Sequence, residues 1–306
     1  MIDGKTRLVG LIGWPVGHSL SPRMHNAAFH KLGLNWCYVP MPVAPERLGE
    51  AVEGLVALGF AGANVTAPHK EAVLAHLDEI APEVRAIGAL NTIVLREGRT
   101  IGHNTDVYGF LTALQEKGFT PQGRRAVVLG AGGAARAVVY ALAHAGSEVV
   151  VLNRTPERAE ALVKALSPSF PSVSLAAGPL TTEVLSQRAT KADLLVNATS
   201  VGRWLAESPR EVPAPAACKC QRLMASTFGE VDQCPWPEDV AFPSHWTVCE
   251  LVYSPPQTEL LQRAASAGAR TIGGLGMLVH QGAAAFRLWT GLEPPVETMY
   301  EACCRT

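Results

Sequence analysis

Along the first third of the chain, short apolar runs alternate with stretches whose apolar side chains recur at helical spacing. Residues 8–13 form an apolar run ending in Gly13-Trp14-Pro15, a strand followed by a turn. Residues 22–32 read as a helix stopped by Gly33, and residues 36–42 are rich in β-formers. Residues 45–58 carry Leu48, Val52, Leu55 and Val56 at i, i+4, i+7 and i+8, one face of a helix. Residues 62–66 predict a strand and 69–80 a helix. Residues 91–95 and 100–104 flank Glu97-Gly98, the signature of a hairpin. The strand–helix alternation predicts a largely parallel sheet with helices on its faces.

The middle of the chain restarts the same rhythm. Residues 125–129 and 148–152 predict buried strands around a helix at 133–145. Thr155 is placed to cap a helix with Pro156 at its first position, running to Leu166. Residues 192–198 and 246–252 predict further strands, and 256–267 a helix. Between them, residues 201–244 are rich in Pro, Cys and Trp without a clear period, which predicts an irregular surface loop. The end is helical, at 275–289 and after Pro295. The fold class is therefore α/β, with two rounds of sheet building.

Composition narrows the function. A hydrophobic share of 48% against 17% charged residues excludes a disordered chain, and 306 residues suffice for two cores. A net charge of −1 provides no bulk attraction to nucleic acid or to an anionic membrane. Residues 126–152, the most apolar stretch, are interrupted by Arg136, His144 and several glycines, so no bilayer span is predicted. The N-terminus lacks the pattern of a secretory signal, and the expected location is the cytoplasm. Seven cysteines, an odd number, do not suggest a disulfide framework. Cys218, Cys220, Cys234 and Cys249 with His245 are conceivable zinc ligands, but the C-x-C spacing is unlike that of zinc sites, and free thiols are expected with no metal.

The motif Gly130-Ala131-Gly132-Gly133-Ala134-Ala135 follows a predicted strand and opens a predicted helix, the setting a dinucleotide-binding G-x-G-x-x-G/A motif requires. Gly130 permits the tight turn, Gly132 admits a pyrophosphate, and Ala135 allows close helix–strand packing, with the helix N-terminus facing the phosphates. The next strand normally ends in an acid that holds the ribose 2′-hydroxyl of NAD. Here it ends in Asn153-Arg154-Thr155, with Arg158 a turn later. Two guanidiniums in place of an acid suit a 2′-phosphate, so the expected cofactor is NADP.

Five further segments carry polar residues at predicted strand ends, where parallel sheets bind ligands. They are Gly17-His18-Ser19-Leu20-Ser21-Pro22, Asn64-Val65-Thr66-Ala67-Pro68-His69-Lys70, Gly88-Ala89-Leu90-Asn91-Thr92, Asn104-Thr105-Asp106 and Gly276-Met277-Leu278-Val279-His280-Gln281. Their hydroxyls, amides, one Lys and one Asp suit a small polyhydroxylated molecule. Together with the glycine motif, Asn153-Arg154-Thr155 and Asn197-Ala198-Thr199-Ser200, they closely resemble shikimate dehydrogenase, in the family's order and nearly end to end.

That resemblance implies an N-terminal α/β substrate domain with a mainly parallel sheet, residues 1–105, completed by 275–306. A Rossmann NADP domain, residues 106–274, stands between, with an irregular insertion around 203–244. It implies NADPH-dependent reversible reduction of 3-dehydroshikimate to shikimate, on the route to aromatic amino acids. Lys70 and Asp106 match the catalytic pair. Ser19 and Ser21, with Tyr253, match the carboxylate site, and Thr66, Asn91, Asp106 and Gln281 the groups on the ring hydroxyls. Thr199, Leu251 and Gly274 match positions along the cofactor. The chain departs from the family's pattern at Val107, where Gly is usual, at Arg203-Trp204 in place of Met, and at Glu250 in place of Asp. Tyr253 also lies unusually far beyond Asn197. The alternatives are a quinate/shikimate dehydrogenase and a metabolite-binding homologue without turnover. The expected partner is the small-molecule substrate, not nucleic acid or membrane, with the chain a monomer or homodimer.

Overall fold

The structure is a computed structural model and describes residues 2–189, 191–202, 234–237 and 240–304. Its first part runs β1 (Arg7–Gly13), α1 (Ser21–Lys31), β2 (Trp36–Pro42), α2 (Leu48–Ala57), β3 (Gly62–Val65), β4 (Glu79–Ile80), α3 (Pro82–Ile87), β5 (Thr92–Arg96) and β6 (Arg99–His103). These strands form one six-stranded sheet in the order β2-β1-β3-β5-β6-β4. β1 pairs parallel with β2 and β3, and β4 parallel with β6. β5 runs antiparallel to both β3 and β6. The expected hairpin is present: Glu97 and Gly98 both have positive φ, 52° and 75°, as a two-residue turn matched to strand twist requires.

The expected helix over 69–80 is not found. The segment makes a turn, a short 3-10 helix at Ala72–His76 and then β4. Asp78 explains the difference. Its carboxylate accepts hydrogen bonds from the Thr100 backbone N–H (2.7 Å) and hydroxyl (2.8 Å), and its own N–H donates to the Thr100 hydroxyl (3.0 Å). Those bonds tie the segment to β6 before a second helical turn can form.

The second part runs α4 (Asp106–Glu116), β7 (Arg125–Leu129), α5 (Gly133–His144), β8 (Glu148–Asn153), α6 (Pro156–Leu166), β9 (Leu175–Pro179), α7 (Thr182–Ala189), β10 (Leu194–Asn197), β11 (Thr247–Glu250), α8 (Glu259–Ser266) and β12 (Arg270–Ile272). The strands form an all-parallel sheet in the order β12-β11-β10-β7-β8-β9. After β9 the chain returns to β10 on the other side of β7. A crevice therefore opens between the ends of β7 and β10, where such sheets bind ligands. Last come α9 (Leu275–Thr290) and α10 (Val296–Cys304).

Alternation along the strands sends side chains to opposite faces. In the first sheet Val9, Leu11 and Val94 pack under α1, α9 and α10, against Met24, Phe29, Phe286 and Met299. Ile12, Val65 and Ile93 face the other way, onto Leu48, Val52 and Leu55 of α2. The C-terminal helices thus return to the first sheet. In the second sheet Val128, Val151 and Val196 pack under α4, α5 and α6, and Val127, Leu129 and Leu195 face Leu260 and Leu261 of α8. Most of the segment predicted as an irregular surface loop, with Cys218 and Cys220, lies outside the described residues. Trp236 and Phe242, at its end, are buried beneath the second sheet with Trp246. The Arg263 guanidinium donates to the Trp236 and Pro237 carbonyls and holds them there. Three aromatic rings bury more apolar surface than the missing periodicity suggests.

Candidate functional site

Between the two sheets lies a cleft of about 710 Å³. Among the sequence-predicted residues it is lined by Ser19, Ser21, Thr66, Lys70, Asn91, Asp106 and Gln281 from one side, with Tyr253 reaching it from just beyond β11. From the other it is lined by Gly130 to Ala134, Asn153, Arg154, Arg158, Thr199, Leu251 and Gly274. Thr155 does not line it. It precedes α6 but makes no side-chain capping bond, and its carbonyl accepts from the Asn153 amide at 2.9 Å.

The antiparallel hairpin gathers the polar groups. Asn91 stands at the start of β5, not at a strand end as expected. Because β5 runs against β3, its start lies beside the end of β3, in register with Asn64, and beside the end of β6. Asn64, Asn91 and the 104–106 turn thereby share one sheet edge. Asn91 is the hub of a buried network. Its amide donates to Asp106 Oδ1 (2.8 Å), the Thr105 hydroxyl (2.9 Å) and Gln281 Oε1 (3.0 Å). Its carbonyl accepts from the Thr105 backbone N–H at 2.7 Å.

Asp106 opens α4, yet its carboxylate does not cap that helix. Asn104 Oδ1 takes that role, accepting from the Asp106 and Val107 backbone N–H groups at 3.0 and 3.4 Å. The Asp106 carboxylate, 4% exposed, is left to receive Lys70 Nζ on Oδ2 at 2.5 Å. A cation and an anion so shielded from water interact far more strongly than an exposed pair. Beyond them, Tyr38 donates its hydroxyl to Asn64 Oδ1 at 2.9 Å and bonds with the Ser21 side chain; burial pushes its phenol well above the ordinary range. The Ser19 hydroxyl accepts the Ser21 backbone N–H at 3.2 Å.

The opposite wall has the form of a nucleotide cradle. Gly130 has φ 105° and lies so close to the loop after β10 that a Cβ would stand 3.1 Å from the Ala198 carbonyl oxygen. A Cβ on Gly132 would meet nothing within 4 Å, so the backbone there is open to an approaching phosphate at the start of α5. Arg154 and Arg158 supply cationic donors farther out. This donor set and opening fit a dinucleotide with a phosphate on its ribose.

The floor is set by a residue whose role the sequence did not reveal. Glu250 is fully buried at the end of β11. It accepts from both Asn197 Nδ2 (3.0 Å to each oxygen), the Val252 backbone N–H (2.9 Å) and the Thr258 hydroxyl (3.2 Å). Asn197 in turn accepts from the Thr199 N–H and hydroxyl, which shapes the loop that faces Gly130. Burial pushes the Glu250 carboxyl up to about 7, against the opposing pull of these donors. Its only signal in the sequence was its departure from Asp. Glu71 also lines the cleft without having been singled out, as do His18 and Met277, which lie in the predicted segments but were given no role there, and Cys234, which was weighed only as a zinc ligand. Among the described residues no group of three or more His, Cys, Asp or Glu side chains is placed to hold a metal ion.

Comparison with known proteins agrees with this geometry. Family models described as the shikimate dehydrogenase substrate binding domain, shikimate / quinate 5-dehydrogenase and the shikimate 5'-dehydrogenase C-terminal domain match residues 11–93, 113–224 and 274–304. The chain is 47% identical over 303 residues to the shikimate dehydrogenase (NADP(+)) of Methanopyrus kandleri, covering 98% of this chain and 96% of that one. It is 45% identical over 301 residues to that of Desulforamulus reducens, covering 97% and 94%. The crystal structure of the Thermus thermophilus shikimate 5-dehydrogenase in complex with NADP(H) and shikimate superimposes with a TM-score of 0.79 at 41% identity, covering 97% of this chain and 98% of that one.

Proposed function

The chain belongs to the shikimate dehydrogenase family, and we infer that it reduces 3-dehydroshikimate to shikimate with NADPH, reversibly, through Lys70 and Asp106. The observation that carries this reading is the shielded Lys70–Asp106 pair, in a cleft whose other wall is the glycine turn. When bound, NADPH supplies the hydride that reaches the ring carbonyl carbon. The chain's own groups do the rest. Lys70 Nζ gives a proton to the nascent alkoxide, or takes it back in the oxidative direction. Its positive charge also stabilises the oxyanion as it forms. Asp106, held on its other oxygen by Asn91, orients the ammonium and accepts from the same substrate hydroxyl.

On this reading Ser19 and Ser21, with Tyr253, take the substrate carboxylate. Thr66, Asn91 and Gln281 hold the ring hydroxyls. Gly130, Ala131, Gly132, Gly133 and Ala134 cradle the pyrophosphate. Arg154 and Arg158 meet the 2′-phosphate beside Asn153 and Thr155, and Thr199, Leu251 and Gly274 flank the nicotinamide side. The substrate domain comprises residues 1–105 and 275–306, and the NADP domain 106–274. The enzyme works in the cytoplasm as a monomer or homodimer, in the pathway to aromatic amino acids. In support, no helix among the described residues is long and apolar enough to cross a membrane. Steady-state rates with shikimate and quinate, each with NADP and NAD, test the reading. The expected result is the highest kcat/KM for shikimate with NADP. Comparable efficiency for quinate with NAD overturns it.

A further inference from the structure

The dinucleotide motif accounts for Gly130, Gly132 and Ala135 but leaves one glycine unexplained. Gly133 occupies a position the motif leaves free, as the first residue of α5. Its φ does not lie in the left-handed region, so backbone conformation does not demand glycine there. A Cβ on it would stand 2.6 Å from Lys70 Cβ, 3.2 Å from Cδ and 3.4 Å from Cγ. The Lys70 stem therefore lies flat on the backbone of the cofactor loop. The closest atom is Cβ, fixed by the backbone, so a side chain at 133 cannot be relieved by turning the lysine's flexible end.

A second contact fixes the same dipeptide. Glu71, next to Lys70, pairs with Arg136 at 3.0 Å from Nε to Oε2. Arg136 lies three residues beyond Gly133 on the first turn of α5. Its guanidinium also donates to the Ile87 carbonyl at 3.4 Å and lies against Gly88, where a Cβ would stand 3.1 Å from Nη1. Lys70 is thus set from the cofactor side at two points, by absence of a side chain at 133 and by an ion pair at 136.

Resting on the assignment of Lys70 as the proton-transfer group, we propose that Gly133 and the Glu71–Arg136 pair are positioning residues for Lys70. They hold its ammonium in register with the cofactor loop, so that proton and hydride reach one carbonyl together. The pyrophosphate needs only the backbone N–H at 133, which any residue but proline offers; the absence of a side chain there is required by the lysine.

Gly133→Ala tests this, with its far-UV circular dichroism and Tm compared with the parent's so that only a folded variant is assayed. Its kcat is expected to fall at least about tenfold, the scale of a sub-ångström to ångström misplacement of a reacting group. The Kd for NADP, from fluorescence titration of the binary complex, is expected to stay within about threefold, far less than loss of a phosphate-binding contact would give. In the Lys70→Gly background, where both the ammonium and the Cβ that lies on position 133 are gone, Gly133→Ala is expected to change kcat no further. Glu71 also meets Arg158 at 3.7 Å, so the pair is tested from its other end: Arg136→Ala is expected to lower kcat without raising the Kd for NADP. An unchanged kcat in Gly133→Ala overturns the proposal. So does an equal fall in both backgrounds, or a loss of NADP affinity in step with the rate, which assigns Gly133 to the nucleotide. Near-normal turnover in Lys70→Ala alone is a separate result: it refutes the role of Lys70 itself, and this proposal with it.

Discussion

Replacing Glu250 with glutamine removes one titrating proton from beneath the cleft and should change how stability depends on pH. The carboxyl titrates at 4.5 in its ordinary setting and is pushed up to about 7 by burial in the fold. Between those values the folded chain holds a proton that the unfolded chain has released. Stability therefore falls as pH rises through this window, and is constant on either side of it. At 1.36 kcal/mol per unit, a difference of this size corresponds to about 3 kcal/mol. Glutamine keeps one acceptor oxygen, for the Val252 N–H and Asn197, turns its amide N–H toward the Thr258 hydroxyl, which can accept, and carries no proton to lose. The stability of Glu250→Gln relative to the parent should accordingly rise by about 3 kcal/mol from pH 4.5 to pH 7.5, nearly all of it below pH 7. Urea unfolding of both proteins at half-unit intervals of pH measures the difference, and the carboxyl's own titration can be followed by ¹³C NMR. Curves that stay parallel across the window refute the reasoning, because they would mean that the network holds Glu250 ionised throughout.

Other expectations follow from the same geometry. Lys70→Ala should lower kcat by roughly 10²- to 10⁴-fold in steady-state assays, the range for a proton-transfer group. Its shikimate KM should move much less, because the serines and amides remain. Asp106→Asn should reduce kcat while retaining measurable shikimate binding by calorimetry, since the amide still bonds but no longer balances the Lys70 charge. Arg154→Ala should raise the KM for NADP about tenfold and leave that for NAD nearly unchanged, the scale of a lost charge-assisted bond; an equal rise for both cofactors would contradict a 2′-phosphate contact.

The second sheet was legible because its strands are buried on both faces and read as unbroken apolar runs: residues 125–129 were predicted as they stand in β7. The glycine turn was legible for a different reason, that its chemistry demands small residues at fixed offsets. β9, whose Leu175 to Gly178 are only half-buried, carried too weak a pattern to be seen. Over residues 69–80 the apolar spacing of Val73, Leu77 and Ile80 imitates a helix, and only the long-range bond from Asp78 to Thr100 decides otherwise. The polar site residues were found because hydroxyls and amides are conspicuous at strand ends. Glu250 and Glu71 were not, because an acid in a sequence does not reveal whether its partner is water, an amide from another strand or an arginine across a cleft. Gly133 was visible, but its neighbour is a lysine 63 positions earlier in the chain, and no spacing rule connects them.

The return of α9 and α10 to the first sheet has a bearing on how the chain is made. During synthesis β1, β2 and β3 emerge first, yet the face that carries Val9, Leu11 and Phe29 is closed by Phe286, Trp289 and Met299. The second sheet, contiguous from β7 to β12, has all its strands before any of those residues leaves the ribosome. The half that is started first is therefore finished last, and an apolar surface stays open through most of translation, the kind of surface that chaperones bind. Trp289 is the clasp: its indole N–H donates to the Ile93 carbonyl at 3.0 Å while the ring fills the space over Gly62. A nascent chain halted before residue 275 would have its nucleotide cradle nearly complete and its substrate half still without a lid on its core.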